Sequence, residues 1–159
     1  YLGYLLFENP RLINALALTI GAGLSVAWLV LLRRRPAAAR LDLLEASTIA
    51  VASLLPIYHR VYDAALLLLP VCWVFSDRRP ETKRHRLAAL LLTAPFLVPG
   101  STWLEMQAAS GRIPAWMIEQ RWWTLLVVPH QVWALLLLAL VLLSAQAATV
   151  RAARKEPTG

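Results

Sequence analysis

Long apolar runs, separated by short basic or proline-containing segments, dominate the chain. Five of them approach the roughly 20 residues that an α-helix needs to cross a bilayer. They cover residues 12–32, 41–58, 61–76, 87–103 and 122–150. Pro70 interrupts the third run, and Pro95 and Pro99 interrupt the fourth. The pattern predicts an all-α, polytopic transmembrane helix bundle of about five spans, some short and proline-broken, in a single membrane domain over residues 1–159.

The composition agrees with a membrane protein. Hydrophobic residues make up 59% of the 159 positions, charged residues only 16%, and the mean hydropathy is +0.58. A soluble domain of this size needs more charge to cover its surface. The single cysteine, Cys72, excludes an intrachain disulfide and any metal motif built from cysteines. The net charge of +7 gathers in clusters beside the apolar runs, which argues against nucleic acid as a partner.

The positions of Lys and Arg predict an orientation in the membrane. If the five spans alternate in direction, twelve of these residues fall on one side and four on the other. The twelve are Arg33, Arg34, Arg35, Arg40, Arg78, Arg79, Lys83, Arg84, Arg86, Arg151, Arg154 and Lys155; the four are Arg11, Arg60, Arg112 and Arg121. Because positive charge accumulates in cytoplasmic loops, the larger group and the C-terminus are predicted to be cytoplasmic. The segment around His59 is then extracytoplasmic.

A polar cluster between the second and third runs is the main candidate for chemistry. Within six positions it contains Tyr58, His59, Arg60, Tyr62 and Asp63. On a helix, His59 and Asp63 are four residues apart and share a face. Two interpretations stay open. The cluster is either a solvated cap in which Arg60 and Asp63 neutralise each other, or a site in which Arg60 and His59 bind an anionic head group.

Further candidates lie outside this cluster. His130, next to Pro129 in the fifth run, either satisfies backbone groups freed by the proline or faces an outer cavity shared with His59. A metal site formed by His59, Asp63 and His130 stays open, although the spacing carries no metal signature and no cofactor motif is present. His85 is expected to be a solvated cytoplasmic charge. Four tryptophans near outer span ends form an aromatic belt or line a lipid or sugar site: Trp103, Trp116, Trp122 and Trp123.

The stretch "SLLPIYHRVYDAALLLLP", residues 53–70, resembles the hairpin in family 87 of the membrane-embedded (GT-C) glycosyltransferases. In that family a proline precedes an aromatic residue, a histidine-containing turn and a leucine-rich helix. Here these features are Pro56, Tyr58, His59 and the leucines at 66–69. The basic loops between proline-broken spans also resemble the C-terminal half of such enzymes. The resemblance implies a transferase that moves a sugar, such as mannose, from a polyprenyl-phosphate donor to an extracytoplasmic acceptor.

The resemblance also implies roles for individual residues. The donor-phosphate site would consist of Tyr58, His59, Arg60, Tyr62, Asp63 and, more distantly, His130. The catalytic base of GT-C enzymes lies on the first outer loop, so it is expected upstream of Tyr1, in a missing N-terminal half, and this chain alone is expected to be inactive. The sequence departs from the family at Leu55, Tyr58 and Arg60, where a serine, a tryptophan and a second histidine are common.

Two other classes remain open beside the transferase, which is expected in a bacterial inner membrane with the donor and membrane lipid as partners. One is a non-catalytic membrane subunit that packs in a larger complex, for which Gly21 and Gly23 would permit close helix approach. The other is a transporter fragment, which the outer rather than midplane position of the charged residues disfavours. No cofactor is expected for the transferase, and its dependence on a divalent metal stays open.

Overall fold

The computed structural model describes residues 10–35, 42–57, 65–97 and 101–155, and among these residues there are helices and no strand. The α-helices are α1 (Pro10–Arg33), α2 (Asp42–Ile57), α3 (Leu68–Ser76), α4 (Lys83–Thr93), α5 (Ser101–Ala109), α6 (Ala115–Ile118) and α7 (His130–Lys155). Two 3₁₀ turns cover Pro80–Thr82 and Ala94–Leu97, and a π-helical segment, Trp123–Val127, precedes α7. The all-α prediction is confirmed.

Helix boundaries follow the apolar runs at the start of the chain and depart from them later. α1 and α2 closely match the predicted runs 12–32 and 41–58. The run 87–103 is not one helix: α4 ends at Thr93, a 3₁₀ turn contains Pro95, and α5 begins at Ser101. The run 122–150 is divided before α7, which extends to Lys155. Proline's missing N–H explains both interruptions.

The pattern predicted that Pro70 would interrupt a helix, but it lies at the start of one. It is the third residue of α3, within the first turn, where a backbone N–H has no intrahelical partner to lose. A short turn at residues 65–67 leads into this helix. Pro70 is buried and therefore marks a helix start that packs against the rest of the bundle.

Two helical segments are long and apolar enough to cross a membrane, Ala15–Arg33 and His130–Lys155. Leu43–Leu55 and Ala65–Ser76 are apolar but shorter. Two spans therefore meet the length criterion within the described residues. A bundle of about five spans would depend on shorter or broken helices, which do not meet this criterion.

Helix α7 lies at the centre of the bundle. It packs against α1, α2 and α4 and against the turn Pro80–Thr82, and half of its apolar window is buried. Leu138 and Leu142 of α7 are fully buried and belong to one apolar cluster with Val51 of α2 and Trp73 of α3. Dispersion contacts among these close-packed side chains hold the helices together, whether water or lipid surrounds them.

The ends of three helices meet at one end of the bundle. The Arg154 side chain of α7 donates from Nη2 to the backbone oxygen of Arg34, just beyond α1, at 3.0 Å. Arg35 Nη1 forms an ion pair with Glu45 Oε1 in the first turn of α2 at 2.6 Å. The C-termini of α1 and α7 therefore lie beside the N-terminus of α2. We call this the basic end.

One further contact shows which residues lie toward the opposite end of the bundle. Gln146 Nε2 of α7 donates to Thr48 Oγ1 of α2 at 2.6 Å, and both residues are buried. Moving from this contact toward the basic end raises the residue number in α7 and lowers it in α2, so the two helices are antiparallel. Ile57, the last residue of α2, and His130, the first of α7, therefore both lie toward the other end, which we call the far end.

Candidate functional site

Most of the predicted site falls between α2 and α3, outside the described residues. The predicted residues there are Tyr58, His59, Arg60, Tyr62 and Asp63. His130 is described and is the first residue of α7. The predicted metal set thus has one described member. Within the described ranges, no group of three His, Cys, Asp or Glu side chains is placed to hold a metal ion.

His130 makes a local contact with the backbone that precedes it. Its Nδ1 lies 2.7 Å from the carbonyl oxygen of Val127, the last residue of the π-helical segment. A carbonyl oxygen only accepts hydrogen bonds, so Nδ1 carries the proton and Nε2 holds the lone pair of the neutral ring. The contact is of the kind expected beside Pro129. It fixes the ring and leaves Nε2 as the nitrogen that could receive a proton or donate one after protonation.

A second side chain repairs the backbone next to Pro129. Proline has no N–H, so it cannot make the usual bond to the carbonyl four residues earlier, which is that of Leu125. Trp133 Nε1 donates to this oxygen at 2.8 Å. His130 and Trp133 therefore stabilise the irregular entry to α7 from both sides of its first turn, which holds His130 in a defined position.

His130 and the end of α2 both lie on the far side of the contact between Thr48 and Gln146. At about 1.5 Å per residue, Ile57 lies roughly 13 Å from Thr48, and His130 lies roughly 24 Å from Gln146, the partner of Thr48. His130 is thus about 10 Å beyond the level of Ile57 along the axis. A histidine and the flank of the predicted polar cluster share the far end.

The tryptophans near the far end differ in exposure. Trp103, Trp116 and Trp122 are exposed, whereas Trp123 is buried. The rings of Trp122 and Trp123 pack edge to face, with centroids 5.9 Å apart and an interplanar angle of 75°. Edge-to-face packing is a favourable arrangement of two aromatic rings. Three exposed indoles suit an aromatic belt at the head-group level, and the same rings remain candidates for a lipid or sugar contact.

Most of the cations that the structure describes belong to the C-termini of α1 and α7, at the basic end, or to the turn and helix start that follow α3. Exposed members are Arg33, Arg34, Arg78, Lys83, Arg84, Arg151 and Lys155; partly buried members are Arg35, Arg79, Arg86 and Arg154. Four carboxylate residues lie there by position in the chain: Asp42, Glu45, Asp77 and Glu81. The excess of positive charge in these segments is therefore large.

Asp77, in the turn between α3 and α4, is a buried hub of hydrogen bonds that the sequence analysis missed. Its side chain is 3% exposed. Oδ2 accepts from Trp73 Nε1 at 3.0 Å and from Thr82 Oγ1 at 3.1 Å. Oδ1 accepts from the backbone N–H and the Nε–H of Arg79 at 3.0 and 2.9 Å. Arg86 also donates to the backbone oxygen of Asp77.

These bonds stabilise the charged form of the carboxylate. Burial raises the pKa of Asp77, but the hydrogen bonds from Arg79, its positive charge and the Thr82 hydroxyl together lower the pKa below the ordinary value. Asp77 thus fixes the turn rather than acting as a free acid. One sequence signal could have found it: Trp73 is four residues earlier, so the two side chains share the last turn of α3.

His85 differs from the solvated charge that its basic neighbours suggested. It is partly buried, and its Nδ1 is enclosed without a hydrogen-bond partner among the described residues. The same holds for Nε of the adjacent Arg86, whose Nη1 reaches Asp77. Both residues follow the Asp77 turn into α4, so their side chains pack against protein on one side instead of pointing fully into solvent.

No protein-family model, no curated protein and no solved structure matches the chain. The fold therefore defines the class of protein: an all-helical bundle around α7, in which two segments are long and apolar enough to cross a membrane. Its function is inferred from the sequence pattern and from the placement of residues at the two ends.

Proposed function

We propose that the chain is the C-terminal membrane part of a glycosyltransferase, which moves a sugar from a polyprenyl-phosphate donor to an extracytoplasmic acceptor. It would cross a bacterial inner membrane about five times, with α2, α3 and the broken segment α4–α5 adding to the two longer spans. The stretch 53–70, which resembles family 87 of the GT-C glycosyltransferases, supports this function. So does an apolar, all-helical fold.

One observation carries the proposal. The helix end at Ile57, from which the chain enters the polar cluster, and His130 both lie toward the far end, whereas the cations at the C-termini of α1 and α7 gather at the basic end. Positive charge is retained on the cytoplasmic side. A donor site at the far end would then open on the extracytoplasmic face, where lipid-linked sugars are used by such transferases.

In this proposal, residues of the chain bind the donor phosphate, and the catalytic base is the one that GT-C enzymes carry on their first outer loop. In an inverting transfer, the acceptor oxygen forms a bond to the sugar C1 while the bond from C1 to the phosphate oxygen breaks. A base takes the acceptor proton, and the polyprenyl phosphate leaves with the electron pair. Arg60 and His59 would hold the phosphate and stabilise its developing charge. Tyr58, Tyr62 and Asp63 would position them.

His130 is a weaker member of the same site. Its Nδ1 bond to Val127 fixes the ring, and Nε2 is the nitrogen left to meet a phosphate oxygen. A phosphate binds the protonated ring better than the neutral one, because Nε2 then becomes a donor. No metal or cofactor is part of the proposal.

The test uses the full-length gene product in membranes. His59→Ala and Arg60→Ala, singly and together, are compared with Arg112→Ala, an exposed arginine whose described side-chain contact is with Gln107. Transfer from a polyprenyl-phosphate sugar is measured at matched expression and helicity. We expect kcat/KM of the double variant to fall at least about 100-fold, because the variant loses two charge-assisted contacts to the phosphate in the transition state. Unchanged turnover in the double variant would refute the site.

A non-catalytic membrane subunit is the second candidate, and the surface of α1 favours it. Only 6% of the apolar window of α1 is buried, and Leu18 and Val26 are 74% and 58% exposed. A Cβ added at Gly21 or Gly23 would meet open space, so another helix could approach there. Absence of transfer by the unmutated full-length protein, together with a stoichiometric co-purifying membrane protein, would favour this candidate over the enzyme.

A further inference from the structure

One face of α4 changes along its length from cationic to apolar. Lys83 and Arg84 are exposed in its first turn, and Leu87 and Leu91 follow at 61% and 64% exposure. Lys83, Leu87 and Leu91 are spaced by four residues, which places them in a row on one side of the helix. A charged group at one end of a row and two exposed leucines below it match the head and acyl chain of one phospholipid.

The neighbouring turn extends the charged part of this face. Arg78 is exposed two residues after the end of α3, and Phe75, in the last turn of that helix, is 63% exposed. The adjacent carboxylate of Asp77 is occupied by Arg79, Trp73 and Thr82 inside the turn. That carboxylate therefore cannot act as an external counter-ion for Arg78.

Lys83 and Arg84 lie in the first turn of α4, where their charge is not matched by the helix dipole. Cations in the first turn of a helix lie beside the positive end of its dipole, where negative charge is favoured. The first turn of α4 itself contains no acidic residue, although Glu81 lies in the preceding 3₁₀ turn. At the basic end, Glu45 is paired with Arg35. The described carboxylates thus leave most of these cations without compensation.

We infer that Arg78, Lys83 and Arg84 bind the phosphate of an anionic phospholipid whose acyl chains lie along Leu87 and Leu91. Charge alone would also suit a free phosphate or a nucleic acid. Neither would use the exposed leucines that continue the row. The inference requires the protein to lie in a membrane but does not depend on glycosyl transfer.

The experiment measures lipid selectivity with the full chain reconstituted in phosphatidylcholine vesicles. Spin-labelled phosphatidylglycerol and spin-labelled phosphatidylcholine are compared for the fraction that the protein immobilises. We expect the unmodified protein to prefer phosphatidylglycerol, with up to about fivefold in relative association for each cation near the head group. The preference should fall as the salt concentration is raised toward 1 M, because the Debye length shortens to about 3 Å.

Variants separate this site from general surface charge. In R78Q/K83Q/R84Q, the association of phosphatidylglycerol should fall close to that of phosphatidylcholine. R112Q/R121Q, which removes two exposed cations outside the basic end, should leave the preference unchanged. The charge-retaining variant R78K/K83R/R84K should keep the preference if the fold is intact. Equal loss in R112Q/R121Q, unchanged selectivity in the triple Gln variant, or full displacement of the lipid by 10 mM inorganic phosphate would overturn the inference.

Discussion

Replacing Asp77 by Asn tests whether the buried carboxylate organises the turn between α3 and α4. Asn has the same shape but one acceptor oxygen instead of two and no charge. If that oxygen keeps the bonds from Trp73 and Thr82, the amide NH₂ faces the two N–H groups of Arg79, which are donors as well. The reverse orientation leaves the buried Trp73 indole without an acceptor.

The expected loss follows from the two contacts that fail. A hydrogen bond to a charged group contributes about 1.5–3 kcal/mol, and a buried unpaired polar group costs about 1–3 kcal/mol. The Arg79 side chain is 34% exposed and can turn its Nε toward water, which lowers the sum. We therefore expect D77N to reduce the free energy of unfolding by about 2–4 kcal/mol.

Unfolding in detergent micelles, driven by increasing SDS and followed by helicity at pH 7, measures this loss. Glu81→Gln is the matched control, since it makes the same chemical change four residues away in the same turn. Among the described residues, Glu81 forms no ion pair. It should change stability by less than about 0.5 kcal/mol. A D77N effect below about 1 kcal/mol, or one equal to that of E81Q, would show that the turn does not depend on the carboxylate.

Three further outcomes follow from the described contacts. Folding lowers the pKa of Asp77, so the carboxylate contributes to the free energy of unfolding above the unfolded pKa of about 4, and this contribution is lost as the pH falls below that value. In acid titrations, the stability difference between wild type and D77N should therefore shrink below about pH 4. Thr48→Val and Gln146→Leu should each cost about 1–3 kcal/mol and together less than their sum, which a double-mutant cycle would measure, whereas full additivity would contradict a direct bond. Trp133→Phe leaves Leu125 without its donor and should cost about 1–3 kcal/mol in the same unfolding assay, against a negligible change if water reaches that carbonyl.

The sequence predicted those features that depend on local pattern. α1 begins at Pro10 and ends at Arg33 because an uninterrupted apolar run lies between a proline and three arginines. The break after α4 was likewise predictable from Pro95 and Pro99, whose rings cannot continue a regular helix. The entry to α7 was harder to foresee, since its π-helical segment depends on side-chain bonds from Trp133 and His130 to backbone oxygens.

Tertiary contacts between distant residues could not be predicted from pattern alone. Thr48 and Gln146 each look like an ordinary polar residue in an apolar helix, and only the packing of α2 on α7 makes them partners. Asp77 stands in a run of charges that resembles any exposed loop, yet it is enclosed by Trp73 and Thr82. Burial, which decides the role of such groups, is set by neighbours that are not adjacent in sequence. For the candidate site, the resemblance at 53–70 remains a prediction.

The central position of α7 has a consequence for how the bundle is made during synthesis. α7 is the last described helix to leave the ribosome, although α1, α2 and α4 all pack against it. Thr48 is separated from Gln146 by 98 residues. At about 5–20 residues per second, α2 waits roughly 5–20 s before that partner emerges. During this interval its buried polar face must be shielded by other helices, by lipid head groups or by the insertion machinery, so early truncation should expose the chain to quality control.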